Sequence, residues 1–109
     1  MEGPMKGDVV VIPFPFSDLS GSKRRPALVV GDWGGTDVML CQITSQAKRD
    51  GLEVALNADD LLSGGLPITS HIRPNKIFTA ERSLILYVAG KVNMDKYQQV
   101  VRGIVALIS

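Results

Sequence analysis

The chain's 109 residues, 45% hydrophobic and 21% charged, suffice for one core and not for two, so residues 1–109 are expected to form a single domain. Twelve Lys and Arg against eleven Asp and Glu leave a formal charge of +1, which excludes a global field for polyanions and requires any anion site to be a local patch. The longest apolar run, residues 9–16, is broken by two prolines and the opening MEGPMKGD lacks a secretory pattern; with no stretch near the roughly 20 residues of a bilayer span, a cytoplasmic protein without membrane association is expected.

Residues 9–12 are a continuous β-branched run, the pattern of a strand covered on both faces and so central in its sheet. Pro13 and Pro15 remove backbone donors, and 17–24 (SDLSGSKR) reads as a loop that is basic at its end. Pro26 disfavours the helical region for Arg25, which is expected to be extended as it leads into a strand over 27–30. GDWGGTD (31–37) has the glycines of an antiparallel turn, followed by a third strand over 38–44. Cys41, the only cysteine, lies inside that strand and reads as a buried thiol without an intrachain disulfide. A short strand is expected over 52–56, then one helical turn from 57 or 58 to 62 that Gly64 and Gly65 end, with Asp59 and Asp60 as capping residues. Strands over 68–72 and 76–79, separated by Pro74, and over 84–92 complete the β portion. Met94, Tyr97, Val101, Ile104 and Ile108 then recur at three and four residues behind Asn93 as N-cap and Asp95 in the first turn, an amphipathic helix that packs this stripe on the sheet. Six or seven short strands and a closing helix give an α+β, mainly β fold: a small barrel.

One histidine and one cysteine exclude a Cys/His zinc cluster and paired-histidine catalysis. Neither a phosphate-loop nor a dinucleotide glycine motif is present; no metal and no cofactor is expected. Three basic groups flank loops: Lys23, Arg24 and Arg25; Lys48 and Arg49; Arg73 and Lys76. If the first and third strand ends meet, Arg25, Thr44, Ser45 and Gln46 come together with lysines at the rim. That assortment suits phosphate, because arginine offers a planar fork of donors while hydroxyl and amide groups fix sugar and backbone. Taken singly, the same basic loops also read as solvated surface. Phe14 and Phe16 can stack bases or pack a core edge. His71 carries the chain's one imidazole, which can serve as acid or base or simply end a strand. Trp33 reads as a partner contact or an exposed hairpin tip.

GDVVVIPFPF near the start, KRRPALVV after the first loop, QITSQAK after the third strand, HIRPNKIFTAERSLI, AGKV and the terminal helix occur in the order and spacing of the MazF/PemK family of toxin endoribonucleases, which the chain resembles over nearly its whole length. The resemblance implies an SH3-like, PemK/CcdB-like barrel that works as a homodimer. It also implies metal-independent, sequence-specific cleavage of single-stranded RNA such as mRNA, and neutralisation by a cognate antitoxin protein. It sets the family's catalytic arginine, in its Arg-Pro pair, on Arg25 before Pro26, and the family's threonine on Thr44. Around them stand Phe16, Ser20, Lys23, Arg24, Ser45, Gln46, Lys48, His71, Arg73 and Lys76 as substrate-binding candidates. Some relatives carry an acid five positions before the arginine, where this chain has Ser20 with Asp18 nearby. Others use an Arg-x-Asp arrangement at the segment reading His71, Ile72, Arg73 here, so that Arg73 replaces the acid. The general base is therefore open.

The chemistry implied is attack of the ribose 2′-hydroxyl on the adjacent phosphorus, giving a cyclic phosphate and a free 5′-hydroxyl, which DNA cannot do. Arg25 would clamp the charge building on phosphoryl oxygens and Thr44 would hydrogen-bond the phosphate or its sugar. The two missing acids motivate an alternative, a catalytically blunted barrel that binds RNA or a protein partner without cleavage. A related barrel inhibits gyrase, but the Arg-Pro arginine and the TSQ segment argue against a protein target.

Overall fold

The computed structural model of the chain describes residues 3–15, 22–47, 50–66 and 69–109. Seven strands run in the order β1 (Asp8–Pro15), β2 (Ser22–Asp32), β3 (Asp37–Thr44), β4 (Val54–Leu56), β5 (Leu61–Gly64), β6 (Ser70–Glu81) and β7 (Tyr87–Val92), and the helix α1 (Met94–Ile108) follows. They form one curled antiparallel sheet ordered β4-β6-β3-β2-β1-β7-β5.

The β-branched run of β1 lies between β2 and β7, with alternate residues serving two cores. Val9 packs with Leu28, Cys41, Ile43 and Ile72 under Val100 of α1. Val10 and Ile12 pack with Ala27, Val29 and Leu40 on the opposite face, closed by Phe78, Ala80 and Ile85. Both faces are thus covered, which a run without polar alternation requires.

Strand β2 starts at Ser22, so Lys23 and Arg24 belong to a strand and not to the loop expected there. The reason lies in β1. Val11 accepts a bond from Leu86 N at 2.8 Å on the β7 side, and the β1–β7 ladder stops at Val11. Backbone groups alternate sides, so Pro13 and Pro15 turn their missing donors to the open edge and the ladder with β2 continues beside them, Pro13 opposite Arg24 and Pro15 opposite Ser22.

Three further elements differ from expectation. The turn near residue 58 is a 3₁₀ turn over Ala58–Asp60 that runs directly into strand β5. Gly64 does not stop a helix. It sits at φ +70°, and a Cβ there would lie 1.9 Å from Ala89 O, so glycine permits the close pairing of β5 with β7 opposite Gly90. The expected pair of strands around Pro74 is a single strand, β6, because the register slips between Cys41 and Ile43 and leaves Pro74 where no ladder bond is needed. Pro74 packs instead on Gly103 of α1. The last strand begins at Tyr87, since Arg82–Leu84 form a 3₁₀ turn. Arg82 holds that turn, with Nε donating to Gly35 O at 2.9 Å and Nη1 to Pro4 O at 3.1 Å, and pairs with Asp32.

The capping expectations hold for Asp60 and Asn93, while Asp59 is exposed in the same turn. Asp60 accepts from Asn57 N at 2.8 Å and Asn93 accepts from Lys96 N at 2.7 Å. The buried stripe of α1 is rotated from the expected one: Tyr97, Val100 and Ile104 face the core, whereas Met94 and Ile108 are 66% and 76% exposed. The Tyr97 hydroxyl donates to Val30 O at 3.1 Å, which fixes that rotation. Trp33 is 58% exposed at the β2–β3 turn. No helix among the described residues is long and apolar enough to cross a membrane.

Candidate active site

The register of four strands builds one row of side chains across the sheet. Ile12 of β1 pairs with Arg25 of β2. The β2–β3 register that sets Ala27 against Gln42, carried two residues further, brings Arg25 beside Thr44. Thr44 pairs with His71 of β6, and His71 with Ala55 of β4. Cross-strand partners point to the same face with Cβ atoms about 5 Å apart. The row lies on the face of Val10 and Leu40, away from α1. One end of that face is apolar and the other carries guanidinium, hydroxyl and imidazole.

Here Phe14, Arg25, Gln42, Thr44, Ser45, Gln46 and Arg73 line one pocket of about 220 Å³. Thr44 is 7% exposed, and its hydroxyl accepts from Gln46 N at 3.2 Å. That bond uses a lone pair and leaves the O–H free to be donated into the pocket. Arg73 is steered by Asp50, Nη2 to Oδ2 at 3.4 Å, and its Nε is buried without a hydrogen-bond partner among the described residues. The Leu52 N–H and, after it, Arg73 hold the Asp50 carboxyl below the ordinary value of 3.8, so Asp50 remains an anion that anchors the guanidinium. Phe14 is half-buried and meets Phe78 edge-on with ring centroids 5.0 Å apart. It therefore both packs a core edge and forms a wall of the pocket.

His71 and Glu53 stand beside the pocket. His71 Nδ1 lies 3.7 Å from Glu53 Oε2, with side chains 22% and 15% exposed. Arg25, Thr44, Ser45, Gln46 and Arg73 thus converge, while other candidates lie elsewhere. Arg24 alternates to the opposite face and lines an adjoining pocket with Leu66, Ser70 and Tyr87, which shares Arg25 and Ser45 with the first. Lys23 is opposite Phe14 and exposed, and Lys76 is exposed on β6 without lining the pocket. Phe16, Ser20, Lys48, Asp18 and Arg49 lie outside the described residues.

Gln42, Asp50 and Glu53 were not singled out from the sequence. Gln42 had a signal, since it stands two residues before Thr44 in an otherwise apolar strand and so shares its face. Asp50 and Glu53 had none, because their partners are 23 and 18 residues away in β6. Among the described residues no group of three or more His, Cys, Asp or Glu side chains could hold a metal ion.

No curated protein sequence is matched. Among solved structures the chain superposes on one of the MazE–MazF complex from Deinococcus radiodurans with a TM-score of 0.78 at 23% identity, covering 98% of this chain and 97% of that one. A mycobacterial protein described as an endoribonuclease gives 0.73 at 19% identity over 97% and 91% of the two chains. The Mycobacterium tuberculosis toxin MazF-mt6 gives 0.66 at 17% over 87% and 91%. At such identities the likeness is one of fold. The sequence profile of one family matches residues 5–108, which takes in β1 through α1 and every residue of the pocket; by that match the chain belongs to the PemK-like, MazF-like toxins of type II toxin–antitoxin systems.

Proposed function

We propose that the chain is an endoribonuclease toxin that cuts single-stranded RNA, including mRNA, at short sequences without a metal ion, and that a cognate antitoxin neutralises it. The single observation that carries the reading is the convergence of Arg25 and Thr44, from neighbouring strands, on one pocket. Among the described residues its charged lining is two arginines and no carboxylate, so guanidinium groups supply the positive charge that a phosphodiester in transition requires.

In this reading the pocket receives the scissile phosphate. Arg25 neutralises the charge building on the phosphoryl oxygens. A guanidinium stays protonated throughout and acts as a clamp, not as an acid. Thr44 donates its hydroxyl to the same group, and Ser45 and Gln46 hold the adjoining backbone. The ribose 2′-oxygen attacks phosphorus and the 5′-oxygen leaves, so RNA is cut and DNA is spared. Membership of the toxin family supports an antitoxin partner, and structures of related proteins with antitoxins point the same way. A disordered segment that orders across the arginine-lined pocket would compete with RNA. A homodimer in the cytoplasm completes the proposal, with the exposed run Leu84, Leu86, Tyr87 and Val88 as apolar surface available to a second copy.

The test is cleavage of a mixed-sequence transcript by the purified chain in excess EDTA, with 2′,3′-cyclic phosphate and 5′-hydroxyl ends. Arg25→Ala and Thr44→Ala should abolish cutting while melting curves stay cooperative. RNA retained on the protein uncut and released by salt would instead establish a binding module.

A further inference from the structure

We propose that His71 is the proton acceptor of the cleavage step and that Glu53 is the residue that positions its imidazole, an inference that rests on the reading of Arg25 and Thr44 given above.

Three observations carry it. His71 is the ladder partner of Thr44, so the two side chains leave the same face with Cβ atoms about 5 Å apart. A phosphate bonded to the Thr44 hydroxyl thus carries its neighbouring ribose within one side-chain length of the imidazole. Second, Nδ1 faces the Glu53 carboxylate at 3.7 Å. That is longer than a direct hydrogen bond and close enough for the charge to favour a proton on Nδ1 and a growing positive charge on the ring. The neutral ring then presents the lone pair of Nε2 away from Glu53, as an orienting carboxylate does for a catalytic histidine elsewhere. Third, the carboxylate that contacts the pocket lining among the described residues, Asp50, is a poor substitute. Asp50 is engaged by Leu52 N and by Arg73, and a carboxylate stabilised as the anion is a weaker base.

Among the described residues, the groups facing His71 are Thr44 from β3, Ala55 from β4 with Glu53 just ahead of it, and, on its own strand, Arg73 paired to Asp50. Arg25 stands one strand further along the row. In the step, the 2′-O–H proton passes to Nε2 and the freed oxygen pair forms the P–O2′ bond. The P–O5′ bond breaks with its electrons on O5′, which takes a proton from solvent. The imidazolium returns its proton to solvent before the next turnover.

The experiment is single-turnover cleavage of a mixed-sequence transcript by the full chain from pH 5 to 9, with His71→Gln, Glu53→Gln and Arg25→Ala, each checked by thermal melting and RNA retention. The wild-type rate should rise with unit slope in log rate against pH and then level. His71→Gln should lower the plateau by about a hundredfold or more and abolish the rise, with RNA retention kept. Glu53→Gln should slow the reaction less and move the rise to lower pH, because the imidazolium loses its neighbouring anion; a purely structural role would leave the rise in place. Arg25-dependent cleavage in which His71→Gln keeps the wild-type rate and rise overturns the assignment of His71 alone. Cleavage indifferent to Arg25→Ala overturns the parent reading and this one with it. If His71→Gln does not fold, the decision passes to Glu53→Gln, where an unmoved rise in a folded protein refutes the proposal.

Discussion

Thr44→Val separates a hydroxyl that holds the loop from one that serves the reaction. The side chain keeps its shape and loses one acceptor, the partner of Gln46 N at 3.2 Å. Gln46 is exposed, so its N–H recovers a bond to water and the loss falls at the low end of about 0.5–1.5 kcal/mol. A change of about 1 kcal/mol lowers the melting temperature of a domain this size by roughly 4 °C and leaves it folded at 25 °C. Removing a donor that stabilises the transition state costs about a hundredfold in rate, roughly 2.7 kcal/mol of barrier. The two effects differ enough to be told apart on one sample. Single-turnover RNA cleavage at 25 °C should fall about a hundredfold in Thr44→Val, while urea melts show a shift of about 1 kcal/mol or less. Thr44→Ser, which keeps the hydroxyl, should retain most of the rate. A valine variant that cleaves within a few-fold of wild type, or whose loss of rate merely tracks its unfolded fraction, would refute the role given to Thr44.

Gly64→Ala should destabilise the fold by about 2–5 kcal/mol in urea melts, combining a left-handed backbone with a Cβ set 1.9 Å from Ala89 O; Gly34→Ala, at φ +85° with nothing within 4 Å, should cost only the backbone share of about 1–2 kcal/mol. Equal losses would show that β5 and β7 are not so closely paired. Burial pushes the Cys41 thiol up to about 12, so a thiol reagent at pH 8 should react slowly with native protein and promptly in guanidinium; prompt native labelling contradicts the buried placement. The Asp50 carboxyl, followed by carboxylate NMR, should titrate below 3.8. A carboxyl depressed by folding stabilises the native state above that value and loses the contribution as pH falls through its folded midpoint. Asp50→Asn should remove this dependence and weaken RNA binding by releasing Arg73, and an Asp50 midpoint at or above the ordinary value counts against the tether.

Local chemistry made much of this molecule legible. The β-branched run at residues 9–12, the Asn93 cap and the 3.6-residue period after it each specify their own conformation, and β1 and α1 follow. What escaped depends on partners distant in sequence. Gly64 and Pro74 are both ordinary chain-breakers in isolation. Only the approach of β7 makes Gly64 a strand residue, and only the register slip opposite β3 lets β6 run through Pro74. The rotation of α1 was ambiguous for a similar reason, since Met94 and Ile108 fit the same period as Tyr97 and Ile104. The pocket divides along the same line. Arg25, Thr44, Ser45 and Gln46 were legible because they flank recognisable strand ends, whereas Asp50 and Glu53 became visible only where β6 brings Arg73 and His71 to them.

The row across β2, β3 and β6 has a consequence for how harm is withheld. Its members are added to the growing polypeptide at positions 25, 44 and 71, and the last strand to join flanks Thr44 with His71 and Arg73. A nascent chain halted on the ribosome before β6 carries the guanidinium and the hydroxyl without the neighbour that completes their sheet. The proposed site is thereby withheld until the strand that carries His71 and Arg73 has been made and has paired with β3.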